Sequence, residues 1–374
     1  MTRVFAGPRR YVQGAGLLDR LGELLAPYGP VPVVVADAMV MRLFGDRLRR
    51  ALGLAGLRPQ LRVLDGELTY DRVGALVGSL GGRDPAVAVG IGGGKSLDAG
   101  KAVALALRLP VVTVPTAASN DSPASAAIAM YDESHRLVAV DRLPQHPDLV
   151  VVDTAVIAAA PVALLRSGIG DAVAKKFEAE GCRDGTGGTP VGGRPLLTGL
   201  AIADACYRTL RAHAVAALAA AGRGEVSADL EAVIEATVLM SGLGFENGGL
   251  SLAHSLTRGL MDARGAGTAP HGCQVAWGTL VQLAAEGRPE LAEVAGFLRD
   301  TGLPVTLAEL GLPDPTGAEL AGIARLALAA PHIRNLPVPV DAAAVTAAIG
   351  RVERLTVPPA SGFRTLGPAA PLPR

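Results

Sequence analysis

The chain has 374 residues, enough for two domains that each bury a core. With 49% hydrophobic and 19% charged residues it is a folded globular protein rather than a disordered one. Its 35 basic side chains balance 35 acidic ones, so there is no bulk field to draw nucleic acid or an anionic membrane.

In chain order, short β-branched runs come first: "VPVVVAD" (31–37), "LRVL" (61–64), "AVAVGIG" (86–92), "LPVVTVP" (109–115) and "LVVVD" (149–153). Stretches of helical period, "YDRVGALVGSLGG" and "SLDAGKAVALAL", lie between several of them. That alternation predicts a parallel sheet with helices on its faces. From about residue 160 the texture changes to Ala/Leu-rich helical segments, including 196–221 and 227–248, with Gly-rich loops at "GCRDGTGGTPVGGRP" and "DARGAGTAP". The expected organisation is an α/β domain over 1–160, an all-helical domain over 161–355 and a Pro-rich, mobile tail over 356–374.

The longest apolar stretch, Leu149 to Leu165, is interrupted by Asp153, Thr154 and Pro161 and falls short of a membrane span. The N-terminus has no apolar leader region. Cys182, Cys206 and Cys273 are odd in number and far apart, which suits reduced thiols. These features predict a soluble cytoplasmic protein. Only four of the basic residues are lysines: Lys95, Lys101, Lys175 and Lys176. Abundant Ala, Gly, Pro and Arg indicate a GC-rich coding bias in which surface lysine has drifted to arginine. The surviving lysines therefore stand out.

Two of them lie in "VAVGIGGGKSLDAGK", where an apolar run ends in three glycines. A Walker A loop fails here, because Val89 stands where its first glycine belongs. The G-x-G-x-x-G fingerprint fails too, because Lys95 holds its last position. What remains is the physics common to both: a strand runs into glycines, and a helix begins with its N–H groups aimed at an anion. A tight strand-to-helix turn without ligand is the competing reading; Lys95 and Asp98 weigh towards a nucleotide. Asp37, ending "VVVAD", is placed either to accept ribose hydroxyls, which would favour NAD over NADP, or only to cap a helix.

In the helical half, Asp171 in "SGIGDAVAKKFEA" reads as a helix start behind two glycines. His254 lies in a small-residue apolar helix, and His271 precedes a new helix. One carboxylate and two imidazoles suit zinc or ferrous iron with positions left open. Their wide spacing equally permits core histidines and a plain N-cap.

The stretches "GIGGGKSLDAGKAVA", "VPTAASNDSPASAAIAMYDE", "LPQHPDLVVVDTAVIAAAP", "GIGDAVAKKFEA", "SGLGFENGGLSLAHSL", "PHGCQVAWGTL" and "TGLPVTLAELGL" resemble the glycerol dehydrogenase branch of the iron-containing (group III) alcohol dehydrogenase family. The resemblance spans about residues 1 to 350. It implies a Rossmann-like NAD-binding domain followed by an all-α domain, the fold shared with dehydroquinate synthase, with the site in the cleft between them. It further implies cofactor contacts from Asp37, Gly94, Lys95, Asp98, Thr116, Ser119, Ser125, Ala127 and Tyr131. Asp171, His254 and His271 are its metal ligands, with zinc usual in that branch and iron the alternative. Asp121 would contact the polyol and Phe245 wall its pocket, while Asp121, Asp171 and His254 carry catalysis.

The implied reaction is hydride transfer from a secondary alcohol of glycerol or a related vicinal diol to NAD, in a homo-oligomer. Departures bear on the substrate. Arg334 stands in "PHIRN" where close relatives carry His in I-H-N, and Asn247 and the "DARGAGTAP" loop also differ. A cyclitol or another secondary alcohol is therefore an alternative. A sugar-phosphate cyclase-type lyase and a non-catalytic relic are the remaining readings. Against the lyase, Asp171 stands in place of the usual Glu, and no Lys/Arg cluster accompanies "GFENGGLSLAHSL".

Overall fold

The computed structural model describes residues 2–82 and 84–356. The Pro-rich tail expected over 356–374 lies, beyond Thr356, outside the described residues. The backbone gathers into two compact units.

One unit comprises residues 6–160 with 220–242. Six strands form its parallel sheet: β1 (Tyr11–Gly14), β2 (Pro32–Asp37), β3 (Gln60–Leu64), β4 (Val87–Gly92), β5 (Val111–Pro115) and β8 (Leu149–Asp153), in the order β1-β8-β5-β4-β2-β3. β6 (Ala127–Tyr131) and β7 (Leu137–Arg142) make a separate antiparallel hairpin. The central strands are apolar and buried on both faces, as a parallel sheet requires. Val34, Val89, Val112 and Val151 pack one face and Val33, Val35, Ala88 and Val111 the other.

The β-branched runs locate five of these strands; β1 and the hairpin are additions. β1 is only four residues long, and its strand character comes from pairing Tyr11–Gly14 with Val150–Asp153. The chain leaves β2 outward to β3 and returns to β4 on the other side of β2. The order thus reverses between β2 and β4, which makes their C-terminal ends the topological switch point, where open α/β sheets bind ligands.

Residues 220–242, expected in the helical half, belong with the sheet. Glu231 accounts for the attachment. Its carboxylate accepts from the Gln13 amide at 2.6 Å and from the Thr154 hydroxyl at 2.7 Å.

The second unit comprises residues 2–5, 161–219 and the described residues from 243. Its central helices are Val162–Asp184, Leu252–Asp262 and His271–Glu286. Helix Val162–Asp184 is buried along most of its length and runs four residues into the Gly-rich loop expected from 181. Asp171 is accordingly mid-helix rather than at a helix start: the helix runs through Gly168 and Gly170, and Gly170 serves close packing instead of breaking it. Among the described residues no helix is long and apolar enough to cross a membrane.

Candidate active site

At the switch point, β4 runs through Gly92 and Gly93 into helix Gly94–Leu107. The helix lies against its own strand because two glycines face each other. A Cβ on Gly100 would stand 2.4 Å from the Gly90 Cα. With no side-chain cap at Gly93, the first N–H groups of this helix are suited to an anion.

Asp37 ends β2 and caps the next helix, accepting from the Val40 N–H at 2.8 Å and from the Ser96 hydroxyl at 3.0 Å. It is therefore tied directly to the glycine turn. The loop after β5 is pinned to the same turn by the Thr116 N–H, which donates to the Gly92 carbonyl at 3.0 Å. Ser119 and Asp121 follow in that loop, half-buried. Lys95 reaches the Glu67 carboxylate at 2.9 Å. Glu67 also lies 3.0 Å from His135 Nδ1, and the His135 ring stacks on Tyr131 with centroids 5.2 Å apart.

Asp98 is turned inward. One oxygen takes Lys101 at 3.0 Å and the Ser122 hydroxyl at 2.7 Å, and the other accepts from the Ala129 N–H at 3.0 Å. Ala127 meets the same network, its carbonyl accepting from Lys101 at 2.9 Å, while the Ser125 hydroxyl accepts from the Ala127 N–H. Asp98, Ser125 and Ala127 thus engage one another's surroundings within the protein. Gly94, Lys95 and Asp37 sit at the turn itself.

The helical unit builds a second centre. Helices Val162–Asp184 and His271–Glu286 approach closely at Gly170 and Gly272. A Cβ on Gly170 would fall 2.3 Å from the Gly272 carbonyl, and one on Gly272 would fall 1.7 Å from the Ser167 carbonyl. Any larger residue would push Asp171 and His271 apart. As built, the ligand atoms of Asp171, His254 and His271 all lie within 4.8 Å of one another. His254 Nε2 is 3.1 Å and His271 Nε2 3.9 Å from the same oxygen, Asp171 Oδ1. Asp171 is buried, whereas the His271 side chain is 47% exposed.

Glu178 stands behind His254 and is wholly buried. One of its oxygens caps helix Leu252–Asp262, accepting from the N–H groups of Ser251 at 2.7 Å and His254 at 3.0 Å. The other lies 2.6 Å from His254 Nδ1. Because an ionised carboxylate only accepts, Nδ1 is the donor there and Nε2 is directed at Asp171. Lys175 completes the cluster. Its Nζ donates to Asp171 Oδ1 at 2.7 Å and lies 3.1 Å from His254 Nε2 and 5.8 Å from the Phe245 ring centroid.

Electrostatics bind the cluster together. Burial opposes ionisation of Asp171, yet Lys175 and the two histidines hold its carboxyl well below the ordinary range. Glu178 is likewise lowered against its burial, by His254 and Lys175. Burial disfavours a charge on His254, but Glu178 and Asp171 raise its pKa to about 9. In this arrangement two buried carboxylates demand positive charge. One carboxylate oxygen and two imidazole nitrogens, with one imidazole oriented from behind, are a donor set that fits a divalent metal.

Two residues touching these ligands were not placed at the centre from sequence: Glu178, and Lys175, which stood out only as a rare lysine. Lys175 and Glu178 follow Asp171 by four and seven residues, the spacing of one helix face. That pattern is a usable signal. His332, in the short turn Pro331–Asn335, lies within electrostatic reach of His254, Glu178 and Lys175. No spacing signal pointed to it. The Arg334 carbonyl accepts from the Thr186 and Gly187 N–H groups and pins this turn.

The family model for iron-containing alcohol dehydrogenase matches residues 12–161. A glycolaldehyde reductase of Halobacterium salinarum is 39% identical over 87% of this chain and 90% of its own length. A glycerol dehydrogenase of Pseudomonas putida is 39% identical over 90% of this chain and 93% of its own. The crystal structure of glycerol dehydrogenase from Schizosaccharomyces pombe superimposes with a TM-score of 0.91 at 32% identity, covering 98% of each chain. With likeness of this extent at both sequence and fold, the chain belongs to the iron-containing alcohol dehydrogenase family.

Proposed function

We propose that this protein is a metal-dependent dehydrogenase that moves a hydride from a secondary alcohol of a small polyol, glycerol or a related vicinal diol, to NAD. The observation that carries the reading is the convergence of Asp171, His254 and His271, with Glu178 fixing the His254 ring from behind. A divalent cation at these ligands, zinc in preference to iron, supplies Lewis acidity to the alcohol oxygen. NAD supplies the hydride acceptor.

The protein's own groups do the positioning. The N–H groups that open helix Gly94–Leu107 receive the pyrophosphate, and Lys95 adds positive charge beside them. Asp37 takes the adenosine-ribose hydroxyls and disfavours a 2′-phosphate. Thr116, Ser119, Ser125, Ala127 and Tyr131 line the rest of the dinucleotide path, while Asp98 supports it from within through Lys101 and Ala129. Glu178 keeps the His254 proton on Nδ1, leaving Nε2 for the metal. Asp121 hydrogen-bonds the polyol and Phe245 walls its apolar side. The enzyme works as a soluble cytoplasmic homo-oligomer.

The relatives bear two names at equal identity, one for a reductase of an aldehyde and one for a dehydrogenase of a triol. Both substrates place two oxygens on neighbouring carbons. Purified protein loaded with zinc is therefore assayed by NADH absorbance in both directions. Glycerol, other vicinal diols, cyclitols and simple secondary alcohols are offered with NAD, and glycolaldehyde with NADH, each with and without a chelator. Chelator-sensitive turnover of a vicinal diol is the expected result. NAD binding without turnover of any alcohol or hydroxyaldehyde would overturn the reading and return the cyclase-type lyase and the relic to contention.

A further inference from the structure

The Lys175 ammonium is fully buried on the face of the helix that carries Asp171, one turn further on. It sits 2.7 Å from Asp171 Oδ1 and 3.1 Å from His254 Nε2. These are the same two atoms that the metal reading assigns to the cation. We infer that Lys175 is a built-in competitor for the divalent metal, contesting Asp171 and His254 and so setting how tightly the site holds its ion. The inference rests on the metal-dependent reading given above.

Two physical limits make the competition unavoidable. The first is space. With Nδ1 directed at Glu178, Nε2 is the one nitrogen His254 can turn to an ion. Bonds to a divalent ion are about 2.0–2.3 Å long, so an ion on Oδ1 and Nε2 would occupy the space an ammonium needs to touch both. The second limit is charge. The cluster buries two carboxylates, Asp171 and Glu178. A divalent cation alone balances them, and the buried Lys175 then becomes one positive charge too many where solvent screens it poorly.

The Phe245 ring, with its centroid 5.8 Å from Nζ, offers the ammonium a partner that is not a metal ligand. Lysine suits this task better than arginine. Its ammonium is a compact charge on a flexible stem, able to yield two contacts without surrendering a rigid fork of donors.

The test is metal affinity, measured without turnover. Full-length protein, stripped by chelator, competes for zinc with a chromogenic chelator. The wild type is compared with Lys175→Met, Lys175→Gln and His271→Ala, with circular dichroism confirming that each variant is folded. Both Lys175 variants should bind zinc at least about tenfold more tightly than the wild type. Without metal, both should melt at a lower temperature, since Asp171 then lacks its cation. His271→Ala should bind zinc more weakly.

If the Lys175 variants bind zinc no more tightly while His271→Ala loses affinity, the competitor is overturned and the metal centre stands. If His271→Ala binds zinc as tightly as the wild type, the metal centre itself falls, and the inference with it. Lys175→Gln guards against a packing artefact: a gain confined to the methionine variant also overturns the inference.

Discussion

Two lysines are buried without exposed surface, and each follows an aspartate by about one helical turn, yet they are built into different devices. In the sheet unit, Lys101 donates to Asp98 at 3.0 Å and to the carbonyls of Ser122 and Ala127 at 2.7 and 2.9 Å. Two of those partners are backbone carbonyls, and Asp98 is itself fixed to the Ala129 N–H. The ammonium ties the glycine-turn helix to the hairpin. In the helical unit, Lys175 bonds to Asp171 and lies against His254, side chains that we propose also hold a metal. Lys101 is a structural lock because its partners have no second occupation; Lys175, on the inference above, contests partners that do.

The largest effect expected is at the ligands. His271→Ala should reduce chelator-sensitive turnover by more than about 1000-fold, beyond what loss of a supporting group brings, while NAD binding by fluorescence titration stays unchanged. Next comes the lock. Lys101→Met leaves Asp98 a buried carboxylate without its cation, and thermal or urea unfolding should show a loss of about 3–5 kcal/mol. Zinc affinity per folded molecule should not move. If it shifted as Lys175 variants are expected to shift it, the contrast between the two lysines would collapse.

Glu178→Gln is a finer probe. A glutamine of the same shape can still cap the Ser251 N–H, but it holds His254 less well, and zinc affinity should fall about 10–100-fold with partial rescue of turnover at high zinc. Thr316→Ala is the control. It removes a capping box with Glu319, and should cost about 1 kcal/mol of stability with neither zinc nor NAD affinity altered.

Much of the architecture was legible because its physics is local. β-branched runs mark β2, β3, β4, β5 and β8, since a buried parallel strand must be apolar on both faces. The glycine turn was equally readable, because the strand, the glycines and the following helix are contiguous. β1 escaped, because its four residues are strand-like only through pairing with β8. The hairpin escaped for a similar reason, its alternating buried positions masked by small alanines in "AIAMY".

The proposed metal centre was readable only in part. Asp171 and His254 are 83 residues apart, so spacing carries nothing, and the resemblance had to nominate them. Gly170 misled the local reading, suggesting a helix start where the real demand is close approach to Gly272. Glu178 and Lys175 lay in plain view at helical spacing from Asp171. Their meaning appears only when helix Leu252–Asp262 brings His254 against them.

The most direct test is a zinc titration of chelator-stripped protein supplied with glycerol or another vicinal diol and NAD, read as NADH formation. Turnover should be absent without metal, should saturate at one zinc per chain, and should not appear in His271→Ala. NADH formation that survives the chelator, or that is equal in His271→Ala, would contradict the metal-dependent reading.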